Sequence, residues 1–148
     1  IRVTLDTNVL GPGLIGETGA AARLTRLWSD GAFVLVVSDH ILAELERSYT
    51  DPYFAARVPS ERAAALVNVV RNNATVVELS AEVQGVATHP EDDLVLATAI
   101  SGEASVLCTR DKQLLKLRTF EGIEILSPGE FLDRIAGERT PAECRRAY

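Results

Sequence analysis

An α/β fold with a mostly parallel central sheet is the class this sequence predicts, and three observations predict it. Strand-like and helix-like segments alternate along the chain. Several strand-like segments are apolar throughout, as expected of strands covered on both faces. The chain has 148 residues, 47% of them hydrophobic, which suffices for one domain with an ordinary buried core.

The elements follow in order. "IRVTLDTNVL" begins as a strand, dense in β-branched residues. "GPGLIGETG" reads as a loop by its glycines and proline. "AAARLTRLWSDG" places Ala21, Leu24, Leu27 and Trp28 at helical spacing and stops at Gly31. "AFVLVVS" is the second strand. Ser38 or Asp39 can cap the helix "HILAELERSYT", which Pro52 ends. "SERAAALVNVVRNN" is a helix capped by Ser60, with Ala64, Leu66, Val67 and Val70 facing inward. "TVVEL" is a short strand, "EDDLVLATAISG" a helix ended by Gly102, "ASVLCT" a strand, "RDKQLLKL" a short helix, "IEIL" a strand and "SPGEFLDRIAG" a last helix. Residues 1–136 are expected to form one domain, and the polar, charged stretch 137–148 a loosely held tail. No internal repeat or low-complexity tract interrupts the pattern.

Composition removes several function classes. No apolar segment is long enough to span a membrane, and no secretory leader pattern opens the chain, so the cytoplasm is the expected compartment. Cys108 and Cys144 spell neither a disulfide framework nor a zinc site. Two histidines, His40 and His89, argue against a histidine-rich metal site. A net charge of −6 argues against a basic face that coats nucleic acid. It does not exclude an enzyme acting on nucleic acid, because a bound divalent cation reverses the local sign.

Two constellations can carry chemistry. The first is "GPGLIG", which matches G-x-G-x-x-G at Gly11, Gly13 and Gly16, with Asp39 closing the next strand. That is the layout of a dinucleotide-binding domain. Against it stand the polar Asp6-Thr7-Asn8 before the glycines, and Pro12 where backbone amides should meet a pyrophosphate. A loop of small residues is the plain alternative.

The second constellation is a set of dispersed acids. Asp6 lies near the carboxyl end of the first strand and Asp111 just past that of a later one, where ligands gather in open parallel sheets. "PEDD" puts Glu91, Asp92 and Asp93 at the front of a helix. Helix capping explains Asp92 or Asp93, and Asp111, since an acid in the first turn gains about 0.3–1 kcal/mol from the helix dipole. Asp6 interrupts an apolar strand and begins no obvious helix. In the helix after Ser38, Ile41, Leu42, Leu45 and Tyr49 form the buried stripe, and Glu44 and Glu46 flank it on opposite sides. Periodicity does not choose between those two.

The motifs "LDTNVL", "SDHILAELE", "PEDDLVLATA" and "TRDKQLL", in this order and spacing, resemble PIN domains, in particular the VapC-like ribonucleases that are toxin components of bacterial toxin–antitoxin systems. The likeness covers roughly residues 1–133; no one motif is specific, but four in order are. It implies a PIN-like three-layer α/β/α fold and a metal-dependent endoribonuclease acting on single-stranded RNA. It implies Asp6, Glu44, Asp93 and Asp111 as catalytic, metal-binding acids, taking Glu44 rather than Glu46 because it lies six residues after Ser38. Asn8 and Thr109 are its neighbouring polar groups. It further implies a homodimer and a cognate antitoxin. One departure lies upstream of Asp93, where relatives often carry aspartates in place of His89 and Glu91.

The chemistry suits such residues. One or two Mg²⁺ or Mn²⁺ ions can hold a phosphodiester, activate water and stabilise the leaving oxygen. These hard cations take oxygen ligands. Two carboxylates about 6 Å apart, at an effective dielectric near 20, repel by roughly 3 kcal/mol, more than capping returns. A gathered set therefore makes sense with a cation, or with some carboxyls protonated. Arg110 and Lys112 can touch substrate phosphates or serve as solvated charges; Arg23, Arg26 and Arg47 are weaker candidates. Thr7 and Ser38 can orient the acids, though a turn and a helix cap explain them equally. A catalytically silent PIN-fold interaction module is a further alternative. A phosphatase of the haloacid dehalogenase type would need a second aspartate where Asn8 stands.

Overall fold

A computed structural model describes residues 1–80, 82–87 and 89–138. Its sheet runs in the order β3-β2-β1-β4-β6-β5. The strands are β1 (Arg2–Leu5), β2 (Val34–Val37), β3 (Thr75–Val76), β4 (Val106–Cys108), β5 (Thr119–Phe120) and β6 (Ile123–Leu126). All pairings are parallel except β5 with β6, a short hairpin at one edge. The expected α/β sheet is therefore present.

Successive side chains of a strand point to opposite faces, and the core divides accordingly. Val3, Leu5, Leu35, Val37, Val106 and Cys108 meet α1 (Thr7–Ile15), α2 (Ala20–Ser29), α3 (Asp39–Ser48), α5 (Ser60–Asn73) and α8 (Pro128–Glu138). Leu107, Ile123 and Ile125 meet α6 (Pro90–Ser101) and α7 (Lys112–Leu117) on the other face. Val36 also faces α6: a Cβ on Gly102 would lie 2.1 Å from its Cγ1, so the turn ending α6 needs a glycine to reach the sheet. The result is three layers, α/β/α.

Four local readings are corrected. Residues 7–15 form helix α1, not strand and loop. Asp6 starts it: the Asp6 carboxylate accepts the Thr7 amide N–H, and Val9 and Leu10 are buried below. The glycines do not stop the helix because they are needed inside it. A Cβ on Gly13 would meet Thr25 Oγ1 at 2.4 Å and the Ala21 carbonyl oxygen at 2.8 Å, so the glycine lets α1 and α2 touch. A short helix, α4 (Pro52–Ala55), begins at Pro52, which is a start as well as the stop expected of it; proline suits a first helical turn, where the amide hydrogen is not needed. In α5, Ala63, Val67 and Val70 are buried while Ala64 is exposed and Leu66 half-buried. Ser60 is the first residue of that helix and not its cap.

The helix capped by Ser38 is as expected: its hydroxyl accepts the Ile41 N–H, and Ile41, Leu42, Leu45 and Tyr49 are buried. The last helix extends to Glu138. The expected tail, Cys144 included, otherwise lies outside the described residues. Among the described residues no helix is long and apolar enough to cross a membrane.

Candidate active site

Because β2, β1 and β4 are adjacent and parallel, their carboxyl ends share one edge of the sheet. The residues after those ends line a cleft of about 510 Å³. Its walls carry Asp6 after β1, Glu44 from α3, and Glu91 and Asp92 from the first turn of α6, with Asp51 and Arg47 at the side.

Asp6 is 5% exposed. Besides the Thr7 amide at 2.7 Å, its carboxylate accepts the Thr109 hydroxyl at 2.8 Å. Thr109 Oγ1 in turn accepts the Asp111 N–H at 3.0 Å and the Asn8 amide group at 3.5 Å. Asn8 Oδ1 accepts the Arg110 N–H at 3.1 Å. Asn8 and Thr109 thereby tie the end of β1 to the end of β4. Across the cleft, the Thr7 hydroxyl donates to Glu44 Oε2 at 3.2 Å. Glu46, the other flank of the α3 stripe, is exposed and does not line the cleft.

Three of the acids, Asp6, Glu44 and Asp92, hold a proton more tightly than a free carboxylate. Burial, aided by the charges of Asp92 and Glu44 and opposed by the Thr109 and Thr7 bonds, lifts Asp6 to about 6. Glu44 is raised by burial and by Glu91, against the Thr7 bond and Arg47. Asp92 is raised by burial and by Asp111, Glu91 and Asp93, against His89. Asp6, Glu44, Glu91, Asp92, Asp93 and Asp111 thus interact as one electrostatic group. It is not a closed coordination shell: among the described residues, no three His, Cys, Asp or Glu side chains stand close enough to hold an ion as placed. The donor set fits a hard divalent cation all the same. It consists of carboxylate oxygens whose mutual repulsion a cation would relieve. His40 Nε2 is 3.7 Å from Glu44 Oε2 and 3.2 Å from the Glu91 carbonyl oxygen. Cys108, at the end of β4, is buried, and burial pushes its thiol up, away from thiolate chemistry.

Asp93 stands elsewhere. Its side chain is not on the cleft wall. Its two carboxylate oxygens accept the N–H groups of Gly85 at 2.9 Å and Ala87 at 2.7 Å, holding the approach to α6. One residue along a helix is a turn of about 100°, enough to move the carboxylate from cleft to loop. Asp111 caps α7 through Oδ1, which accepts the Gln113 and Leu114 N–H groups, and its charge reaches Asp92. Ser38 bonds the Thr98 hydroxyl at 2.7 Å in the interior, pinning α3 to α6. Arg110 and Lys112 are exposed.

The dinucleotide reading fails on this geometry. Gly11 and Gly13 are buried inside α1 and offer no phosphate-binding loop. Asp39 is exposed and pairs with Arg71 at 3.3 Å. Several cleft residues escaped sequence reasoning, Asp51, Phe54, Glu91 and Asp92 among them. Glu91 and Asp92 had been explained as the charged entry to a helix, and Phe54 sits on the unforeseen α4. The Asp51-Pro52 pair, a cap residue type before a first-turn proline, was the available signal for α4.

Comparison with known proteins agrees with this architecture. The family model described as PIN domain matches residues 2–113. No curated protein sequence matches the chain. Among the solved structures that share the fold are the following three. VapBC2 from Rickettsia felis, crystallised with a DNA fragment from its promoter, has a TM-score of 0.60 at 15% identity, covering 86% of this chain and 98% of that one. VapBC-1 from nontypeable Haemophilus influenzae has 0.58 at 17%, covering 87% and 99%. FitAcB from Neisseria gonorrhoeae has 0.51 at 17%, covering 86% and 98%.

Proposed function

The chain belongs to the PIN-domain family, and we propose that it is a metal-dependent endoribonuclease, the toxin of a toxin–antitoxin pair. The observation that carries the nuclease reading is the gathering of Asp6, Glu44, Glu91 and Asp92 on one cleft at the carboxyl edge of the sheet, with Asp111 beside them. The VapBC2 and VapBC-1 likenesses support the toxin–antitoxin part. A cognate antitoxin, a homodimer and a cytoplasmic location belong to the same reading.

In this reading Asp6, Glu44, Asp92 and Asp111 hold one or two Mg²⁺ or Mn²⁺ ions. Asp92 takes the part that the sequence motif suggested for Asp93. Once bound, the metal supplies charge stabilisation at the phosphate and a water of lowered pKa. The chain's own residues prepare the place. Thr109 and Thr7 fix the Asp6 carboxylate, Thr7 also steadies Glu44, and Asn8 keeps the β1 and β4 ends together. Asp93 holds the loop before α6, and so sets where Asp92 stands.

The test is cleavage of single-stranded RNA in Mn²⁺ by the wild type, Asp6→Asn and Asp92→Asn. Both variants are expected to lose activity by about a hundredfold or more. Equal cleavage by all three would sink the reading, because a contaminating nuclease would explain it.

A further inference from the structure

The cleft continues past its acids. Pro12 and Phe54 line both it and a second trough of about 460 Å³, so the two are contiguous. The second trough has the opposite character. Among the described residues, the charged ones that line it are Arg57 and Arg110, in a chain whose net charge is −6.

The outer wall of this trough is aromatic and firmly held. Tyr53 is 61% exposed, yet its ring packs edge-on against Phe54 at 5.1 Å. Phe54 packs edge-on against buried Tyr49 at 5.5 Å, and the Tyr49 hydroxyl donates to the Gly11 carbonyl at 2.9 Å. The exposed ring is therefore anchored to the core through two ring contacts. Arg57 lies over it, its guanidinium carbon 3.8 Å from the ring centroid, and donates from Nη1 to the Tyr53 carbonyl at 2.7 Å. Such a stack can merely close a short helix. That account leaves unexplained why an anchored aromatic ring and two arginines border a trough that opens into the acid cleft.

We infer that this trough is the track for the nucleotides flanking the scissile phosphate of single-stranded RNA. Tyr53 and Arg57 form its base-stacking platform, Phe54 its floor, and Arg110 a phosphate contact. The inference rests on the reading of the acid cleft as a phosphodiester-hydrolysing site. Unpaired bases can stack on aromatic rings and guanidinium planes, whereas paired bases keep their faces inside the duplex. A platform of this kind is sequence-tolerant, because every base has a π-face. Positive charge beside the acids suits a polyanion whose scissile phosphate meets a cation while its neighbours meet arginines.

The test is fluorescence anisotropy of a labelled short single-stranded RNA of mixed sequence, with the full chain in Ca²⁺. Tyr53→Ala is expected to weaken binding about tenfold or more and Arg57→Ala by less, with Tyr53→Phe restoring the affinity. An abasic strand of the same length is expected not to distinguish Tyr53→Ala from the wild type, which separates lost stacking from lost fold. Equal RNA affinity of wild type and Tyr53→Ala would overturn the track and leave the trough to a protein segment. Cleavage of the same RNA in Mn²⁺ is followed in parallel. Cleavage with Tyr53-independent affinity overturns the track alone; Tyr53-dependent affinity without cleavage overturns the hydrolytic reading and keeps the platform.

Discussion

Asp92 and Asp93 leave α6 about 100° apart, and that rotation separates a carboxylate on the cleft wall from one spent on backbone amides. The two substitutions should therefore have opposite signatures. Asp92→Asn removes a charge that Asp111, Glu91 and Asp93 already disfavour, so the metal-free protein should unfold at a temperature no lower than the wild type. It should also lose Mn²⁺ binding by isothermal titration. Asp93→Asn keeps one acceptor oxygen and turns an amide group toward a backbone N–H. Hydrogen bonds to charged groups contribute roughly 1.5–3 kcal/mol, so it should lower thermal stability by several degrees while still binding Mn²⁺. Lost Mn²⁺ binding in Asp93→Asn with intact binding in Asp92→Asn would reverse the assignment. The sequence points to this turn of helix, and the structure puts Asp92 on the cleft wall where the motif resemblance names Asp93. The charge pattern of three adjacent acids is the same whichever of them faces the cleft.

At the scale of elements, Gly13 sets how closely α1, the helix that Asp6 caps, approaches α2. Gly13→Ala tests this. Alanine in a helix interior gains about 1 kcal/mol over glycine. Here the added methyl would meet the Ala21 carbonyl oxygen at 2.8 Å, and backbone cannot swing aside as a side chain can. Overpacking of this kind costs typically 1–3 kcal/mol, so the net change in urea unfolding should be destabilising. A stabilised Gly13→Ala protein would show that the helices separate freely. Helix α1 also explains why the glycine motif misled: spacing shows that glycines recur, not whether they turn a loop or admit a neighbouring helix. Helix α4 was missed for a related reason. Four residues are too few for periodicity to register, and its position comes from Pro52 and the packing of Phe54 against Tyr49.

For the whole molecule, the acid cleft costs folding stability that a cation should return. The Asp6 carboxyl titrates near 6 in the folded protein against an ordinary value of 3.8, so the native state binds that proton more tightly than the unfolded chain. Its contribution is then full below about 3.8 and is lost as pH rises through about 6, a swing on the order of 3 kcal/mol. In EDTA, the stability of wild type relative to Asp6→Asn should fall across that window. At neutral pH, Mn²⁺ at about a hundred times its dissociation constant should restore about 2.7 kcal/mol to the wild type and little to Asp6→Asn. A flat difference across the window, with no Mn²⁺ response, would contradict a charged metal site at Asp6. By itself the sequence determined the alternation of strands and helices, the parallel sheet and the segments that bear the acids. Apolar periodicity and strand composition are local properties, and they survive in one dimension. Only the tertiary structure decided which acids of "PEDD" face the cleft, that the glycines serve helix contact, and that Tyr53 and Arg57 stand beside the acids. Those facts depend on the rotation of a helix about its axis and on contacts between residues distant in the chain, and neither is written in the spacing of residues along it.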